Sequence, residues 1–480
     1  MKRTKILCTI GPSSQDLSVL RRMVKAGMNA CRLNFSHGTY EHHKMLINNI
    51  RQVATEQSVP LSIVQDLQGP RIRVGKLPAE GVVLKEKSTV IFTVNPKYKD
   101  NYKDDKIFVS YEHLADDLKA GQYFLLVDGL IKVQVLKIEG SDIHCKVLIG
   151  GLLLSNKGLN FPEVRLQISA LSEKDKEDVK FGVQMGVDWV ALSFVTSAKE
   201  VYDLRYLIKK HEKQLKIKTD HDIKIISKIE KRDAIQSIDE IIQASDGIMI
   251  ARGDLGIEIP AEEVPLKQKE IIAKCLAAGK PVIVATQMME SMINNSRPTR
   301  AEVNDVANSV MDHTDVVMLS GETASGKYPV ETIEFMSKII QRTERSEYDD
   351  LQKPLAIKNR TFSDIISYAT TLFTVEKDVK LILVASMSGL AACMVSRFRP
   401  ELPILVATTN ERVQRQLNLS WGVIPFVLPR VESLEEFNDR ALGYLKKHSY
   451  VKRGDEILIV AGEPLGLSNH MNLLEIREVL

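Results

Sequence analysis

Residues 223–260, IKIISKIEKRDAIQSIDEIIQASDGIMIARGDLGIEIP, decide the fold. Two apolar runs, IKIIS and GIMIA, each stop abruptly at charged residues: Lys228 and Glu230 in KIE, then Arg252, Gly253 and Asp254 in ARGD. Between them Ile235, Ile238, Ile241 and Ile242 recur at helical spacing, so the segment reads strand, helix, strand. Parallel strands joined by a helix carry both tips to one edge of the sheet. Glu230 and Asp254 are thereby expected to converge on one hard cation, with Lys228 beside them. A pair of carboxylates suits Mg²⁺, which takes one or two protein acids and fills its octahedron with water and substrate oxygens. The plainer reading makes each acid a cap of the following helix. The flanking sequence decides between them.

Working outward, the same strand-then-helix texture recurs. KILCTI leads into the turn GPSS, NACRLN ends in Phe35, Ser36, His37 and Gly38, and LSIVQDL carries Asp66 at its tip, followed by QGPRIR. From about Gly69 to Ala170 the runs STVIFTV, QYFLLVD, IKVQVLKI and DIHCKVLI alternate with Gly, Asp and Asn, and no helical period appears until Ser172. That stretch reads as a separate all-β insert. The alternation resumes with a helix before DWVALSF. After the central pair come a helix near Leu266–Ala277, PVIVAT, a helix at Ala301–Val310, and DVVMLS tipped by GETASGKYP. Eight Val- and Ile-rich strands, each followed by a helix or by the insert, predict an α/β fold: a (β/α)8 TIM barrel interrupted after its third strand. A doubly wound open sheet fits that count less well. Beyond the linker YDDLQKPLAIKNR, the strands LILVAS, ILVATT, VIPFVL and EILIVAG alternate with helical segments and predict a small C-terminal open α/β domain. The expected division is barrel at 1–69 and 171–345, a β-barrel-like lid insert at 70–170, and the α/β domain at 346–480.

The totals exclude several classes. The 480 residues are 44% apolar and 26% charged, which is ordinary for a globular protein. A net charge of +3 is too small to imply nucleic acid or an acidic membrane surface as partner. Cys8, Cys31, Cys145, Cys275 and Cys393 are scattered among apolar residues without a C-x-x-C pair, as expected of reduced core thiols. The apolar run at the start is too short for a signal peptide, and no uncharged run reaches bilayer length. A cytoplasmic location follows as the expectation.

Polar residues at barrel strand tips are presumptively functional, because TIM-barrel sites lie on that face. The tips supply Arg32, Asn34, Ser36 and His37; Asp66, Arg71 and Arg73; Lys228 and Glu230; Asp254; and Thr286. Two acids would hold a divalent ion, the cations would meet phosphate oxygens, and a lone lysine would neutralise developing negative charge. If a helix begins after GIMIA, the N–H groups of Gly253 and Asp254 would receive a carboxylate. The set suits an anionic phosphorylated acid, and phosphoryl transfer needs mainly such positioning and charge neutralisation. Blander roles compete: Asn34, Ser36 and His37 shape the SHG turn, Thr286 caps a helix, and Lys228 serves as an ion-pair partner. An unpaired charge in the run around Arg32 would be costly, which favours function there.

ISKIE, MIARGDLGIEIP, ATQMMESM, CRLNFSHG and LSGETASGKYP together resemble the pyruvate kinase family, and the domain order matches it over nearly the whole chain. The resemblance implies a glycolytic phosphotransferase that converts phosphoenolpyruvate and ADP to pyruvate and ATP with Mg²⁺, for which Mn²⁺ substitutes. It implies that Glu230 and Asp254 bind Mg²⁺ and that Lys228 bridges the transferring phosphoryl and stabilises the enolate. Arg32 would hold the substrate phosphate. Gly253, Asp254 and Thr286 would meet its carboxylate, with Thr286 near the face where the enolate is protonated. Asn34, Ser36, His37, Arg73 and Lys157 (in SNKGLNFP, from the insert) resemble nucleotide-side positions, and the insert would close as a lid. A homotetramer is also implied.

Two departures from the family pattern matter. Where the family commonly reads D-T-K-G-P-E after the third strand, this chain reads Asp66, Leu67, Gln68, Gly69, Pro70, Arg71. An acid has become a guanidinium beside the positions that would hold K⁺: Asn34, Ser36, Asp66 and the carbonyl of Leu67. Charges a few ångströms apart interact by several kcal/mol, about 4 at an effective dielectric of 20. Arg71 is thus expected to act as an internal cation, making K⁺ unnecessary, as the resemblance to the K⁺-independent branch also implies; the competing reading has Arg71 pointing to solvent and K⁺ still bound through Asn34, Ser36, Asp66 and the Leu67 carbonyl. The other departure is the loop Ser386, Met387, Ser388, Gly389, Leu390, Ala391, a thinned form of the family's sugar-phosphate effector loop, with a short last loop AGEPLGLSN. An allosteric sugar-phosphate or nucleotide site there is an expectation. The rival readings are an Mg²⁺-dependent enolate-stabilising aldolase or lyase on the same barrel, and a non-catalytic metabolite sensor. A nucleotide-grasping Lys157 and Arg73 argue against the first, and the intact Lys228, Glu230 and Asp254 against the second.

Overall fold

The computed structural model describes all residues except 1, 165, 218–220, 352–354, 356, 358–360, 377 and 464–470. Eight strands form a closed barrel: β1 (Lys5–Thr9), β2 (Ala30–Asn34), β3 (Ser62–Asp66), β4 (Trp189–Leu192), β5 (Lys224–Ile229), β6 (Gly247–Ala251), β7 (Val282–Ala285) and β8 (Val316–Leu319). Each strand pairs in parallel with its sequence neighbour in the barrel, and β1 closes on β8 through Lys5↔Val316 to Cys8↔Leu319. The strands read as continuous apolar runs because both faces are buried. One face packs on the surrounding helices; the other fills the interior with Leu7, Val64, Trp189, Ile226, Met249, Ile283 and Val316. Capping boxes at Ser172 and Thr299 satisfy the first N–H groups of the helices Glu173–Met185 and Arg300–Met311.

Several expectations need correction. The single helix expected between the central strands is two pieces, Arg232–Gln236 and Ile238–Ala244, broken at Ser237. Lys228 lies inside β5, and only Glu230 stands beyond it. Among the described residues the insert pairs as a six-stranded sheet and a two-stranded one, and it contains two short helical turns that were not expected, Pro96–Tyr98 and Leu114–Asp117. Turns this short leave no periodic signal.

The C-terminal unit is a five-stranded sheet in the order β11-β10-β9-β12-β13, from β9 (Ile382–Ala385), β10 (Ile404–Thr408), β11 (Val423–Val427), β12 (Glu456–Ala461) and β13 (Leu473–Glu478). The expected strands are present, and an antiparallel edge strand, β13, adds to them. Parts of the linker YDDLQKPLAIKNR and of the loop AGEPLGLSN lie outside the described residues.

This domain also closes the barrel floor. Leu419 joins the interior cluster, Asn418 Nδ2 donates to the carbonyls of Asn29 (2.7 Å) and Pro60 (2.5 Å), and Arg415 Nε meets Asp188 Oδ1 at 2.8 Å. Cys8, Cys31, Cys145 and Cys275 are buried and Cys393 half-buried, all free. No helix among the described residues is long and apolar enough to cross a membrane.

Candidate active site

The tips of β2, β3, β4, β5 and β6 meet at the C-terminal mouth of the barrel, since parallel strands end on one rim. Arg32, in β2, donates from Nε to Asp66 Oδ2 at 2.6 Å and from Nη1 to Thr9 Oγ1 at 3.0 Å. Among the described residues its Nη2 has no protein acceptor, so one edge of the guanidinium is left for a ligand. Asp66, 1% exposed, also lies 3.4 Å from Lys228 Nζ through Oδ1. The Lys228 ammonium in turn meets Glu230 Oε1 at 2.8 Å. Burial pushes the Asp66 carboxyl up, but Lys228 and Arg32 outweigh it and hold it below its ordinary value. Burial likewise lowers Lys228, and Asp66 and Glu230 more than reverse this.

Asp254 lies in the first turn of the short helix Arg252–Glu258, whose N-cap is Ala251, so neither acid is a helix N-cap. Its carboxyl is pushed up to about 6, first by burial and then by the adjacent Glu230 charge, with Lys228 and Arg71 opposing. The cause is local charge balance: three acids (Asp66, Glu230, Asp254) share two cations, the half-buried Arg32 and the buried Lys228, and Asp254 has none of its own. That shortage is the condition a bound dication relieves. Among the described residues no group of three or more His, Cys, Asp or Glu is arranged to hold a metal ion, so a cation here would take two carboxylates and complete its shell with water or substrate.

Thr286 stands just past β7 at φ 70°, and Gln287 follows at φ 57°. A β-branched residue in the left-handed region is strained, and such strain concentrates at functional sites. The bend turns Thr286 Oγ1 to accept from Gly253 N at 2.9 Å and to donate to the Ala285 carbonyl at 2.6 Å. Arg252 holds this bend, donating to the Thr286 carbonyl and to both Asp305 oxygens, each at 2.7 Å.

A cavity of about 300 Å³ opens between insert and barrel, lined by Arg71, Arg73, Asn156, Lys157, Phe194 and Asp254 among others. Arg71, Arg73, Lys157 and Lys231 thus line the same cavity as the acid that lacks a partner, and of these Arg71 acts on its charge. Arg71 itself is exposed. Arg73 is held at the insert root by Nη1 donation to the Asn156 carbonyl at 3.2 Å. Asn34, Ser36 and His37 do not line this cavity. Asn34 Oδ1 accepts from Ser36 N at 3.1 Å, and the exposed His37 offers its carbonyl to the His43 ring at 2.9 Å. The expected nucleotide residues therefore fall into two groups, Arg73 and Lys157 lining this cavity and Asn34, Ser36 and His37 lying outside it.

Sequence reasoning missed Ser193 and Phe194 at the tip of β4. Lys228 Nζ donates to Ser193 Oγ at 2.8 Å, Ser193 Oγ donates to the Leu67 carbonyl at 2.8 Å, and Phe194 N donates to Glu230 Oε2 at 2.6 Å. The signal was present: in DWVALSF the polar Ser193 directly follows the apolar strand, at its tip.

Comparison with known proteins agrees with this geometry. A family model described as "Pyruvate kinase, barrel domain" matches residues 1–333, and one described as "Pyruvate kinase, alpha/beta domain" matches residues 364–477. The chain is 42% identical to the pyruvate kinase of Geobacillus stearothermophilus over 482 residues, covering 100% of this chain and 80% of that one. It is 42% identical to pyruvate kinase 2 of a Synechocystis strain over 483 residues, covering 100% of this chain and 79% of the relative. For the pyruvate kinase of a Clostridium perfringens strain the identity is 39% over 483 residues, with 100% of both chains covered.

Proposed function

The chain belongs to the pyruvate kinase family, and from that premise we propose that its barrel mouth passes the phosphoryl group of phosphoenolpyruvate to ADP, giving pyruvate and ATP. The observation that carries the reading is one buried ammonium, Lys228, set 2.8 Å from Glu230, with Asp254 crowded against the same acid. Glu230 and Asp254 would hold Mg²⁺, with Mn²⁺ as a substitute; when bound, the dication neutralises phosphate oxygens and fixes their direction. Lys228 places its charge where the transferring phosphoryl and the enolate oxygen carry theirs, which lowers the barrier without proton transfer. The free edge of Arg32 takes a phosphate oxygen. Gly253 N–H, now bonded to Thr286 Oγ1, turns to the substrate carboxylate together with the amide of Asp254, and the released Thr286 hydroxyl faces the enolate carbon.

Arg73 and Lys157 from the insert, and Asn34, Ser36 and His37 from the barrel, would embrace the nucleotide when the insert closes. Closure excludes water, which would otherwise compete with ADP for the phosphoryl group.

K⁺ is not required in this reading. Asp66 is already paired to Arg32 and Lys228, the Leu67 carbonyl accepts from Ser193, and Asn34 Oδ1 accepts from Ser36. Arg71 supplies positive charge on the side of Asp254. Velocity in buffers free of alkali cations tests this; a large activation by K⁺ refutes it.

A second cavity, about 760 Å³, lies in the C-terminal domain among Ser386, Ser388, Thr408, Thr409 and Arg430. Hydroxyls beside one guanidinium suit a phosphorylated effector, a sugar phosphate or a nucleotide, and isothermal titration with each class decides whether it binds. A homotetramer is supported by the helix Phe362–Glu376, which leaves Phe362 85% and Val375 78% exposed, beside the unpaired edge of β13. Light scattering checks the mass. A cytoplasmic location goes with this reading, since it makes the chain a glycolytic enzyme.

The decisive experiment is ATP formation from ADP and phosphoenolpyruvate. Lys228→Met should abolish it while sparing Mg²⁺ affinity, and Glu230→Gln should weaken Mg²⁺. Turnover retained by Lys228→Met sinks the assignment of that side chain, and product without ADP dependence points to a lyase.

A further inference from the structure

We infer that Ser193, at the tip of β4, is a positioning residue that keeps the Lys228 ammonium aimed into the barrel mouth. The inference rests on the role given to Lys228 above. In register, Leu192 lies beside Ser227 on one side and Ala191 beside Asp66 on the other. One residue further on, Ser193 therefore stands between the tip of β3 and Lys228. It is 1% exposed, so water does not compete for its hydroxyl.

That hydroxyl has one proton and two acceptor lone pairs. Two oxygens lie within reach of the proton, the Leu67 carbonyl at 2.8 Å and Asp66 Oδ1 at 3.5 Å, and the shorter contact takes it. With the proton committed to Leu67, the lone pairs of Oγ face Nζ of Lys228 at 2.8 Å. The bond cannot reverse, because an ammonium is only a donor.

The neutral character of this acceptor matters. Lys228 has carboxylates at 2.8 Å (Glu230) and 3.4 Å (Asp66). Held by these alone, the ammonium would settle between them, and its charge would be spent on protein acids. Ser193 fixes the third direction without cancelling charge. The next residue reinforces the arrangement. Phe194 turns at φ 57°, and its N–H donates to Glu230 Oε2 at 2.6 Å, so the same dipeptide holds both the lysine and the acid beside it. Gly69 packs directly on the pair: a Cβ there would lie 2.8 Å from the Phe194 ring and 2.9 Å from Ser193 Cβ.

The test uses the full-length protein with Mg²⁺. A hydrogen bond to a charged group that is realised in the transition state changes rate by about ten- to a hundredfold. Ser193→Ala should therefore lower kcat and kcat/KM for phosphoenolpyruvate together by that factor. Its KM for ADP and its Mg²⁺ affinity by isothermal titration should stay within about twofold of the parent. Oxalate, a planar dianion shaped like the enolate, should bind the Mg²⁺-loaded variant correspondingly more weakly. Ser193→Thr, which keeps the hydroxyl, should restore most of the turnover. Parental kcat and oxalate affinity in Ser193→Ala overturn the inference, and so does a parallel loss of Mg²⁺ affinity or of the thermal midpoint, which would mark a merely structural role. Lys228→Met separates the two levels: if it stays active, the reading of Lys228 itself is wrong, whereas an inactive Lys228→Met beside an unaffected Ser193→Ala removes only Ser193.

Discussion

Acidifying the apo protein probes the carboxylate pair directly. Asp254 has no cation of its own, and burial together with the Glu230 charge lifts it from 3.8 to about 6. A carboxyl raised in this way holds a proton that the unfolded chain has already released, so between those two values the native state binds the extra proton. The cost of ionising it grows as pH rises through the window and is complete above it. Mg²⁺ needs the ionised form, so proton and dication compete. With one proton competing at about 6, the apparent Mg²⁺ dissociation constant should rise about tenfold on going from neutral pH to pH 5, and hold nearly constant from 7 to 8. Asp66 is held below its ordinary value and Lys228 above, so neither changes charge in this range, and Asp254 contributes one proton per ion. Isothermal titration with Mg²⁺ at closely spaced pH values measures it directly. An affinity that stays flat down to pH 5 would refute this competition at Asp254.

Other perturbations test the frame around the site. Leu419→Ala should destabilise the protein by about 2–5 kcal/mol, because it empties a position packed inside the barrel floor; denaturant unfolding reads the loss. Asp349, buried in contact with Arg3 and near Glu344 and Glu401, is pushed up to about 7 by burial, with Arg3 opposing and the two glutamates adding. Its ionisation therefore costs stability increasingly between 3.8 and about 7, so Asp349→Asn should gain on the parent as pH rises from 4 to 8, by at most roughly 4 kcal/mol. Equal gains at both ends, seen by thermal melts, count against this. Gly69→Ala should lose activity and stability together, since φ 68° is left-handed and the new Cβ meets Ser193 and Phe194 below 3.0 Å.

Much of this was legible in the chain itself. Apolar runs that end at polar residues, repeated eight times, are local patterns, and a parallel barrel is the arrangement that buries both faces of such strands. Because parallel strands share one rim, the convergence of Arg32, Asp66, Lys228, Glu230 and Asp254 followed from their place in or just beyond the C-terminal halves of those strands. The break at Ser237 and the short turns at Pro96–Tyr98 and Leu114–Asp117 left no such trace, since each involves too few residues for a period to show.

Tertiary structure alone decided what depends on partners distant in sequence. Ser193 takes its meaning from Leu67, 126 residues earlier, and from Lys228, 35 residues later. Leu419 reads as an ordinary domain leucine until the barrel floor closes over it. Periodicity tells a residue which face it occupies, because that is set by neighbours along the chain. Which donor meets which acceptor across a rim is set by packing, and no stretch of sequence carries that information by itself.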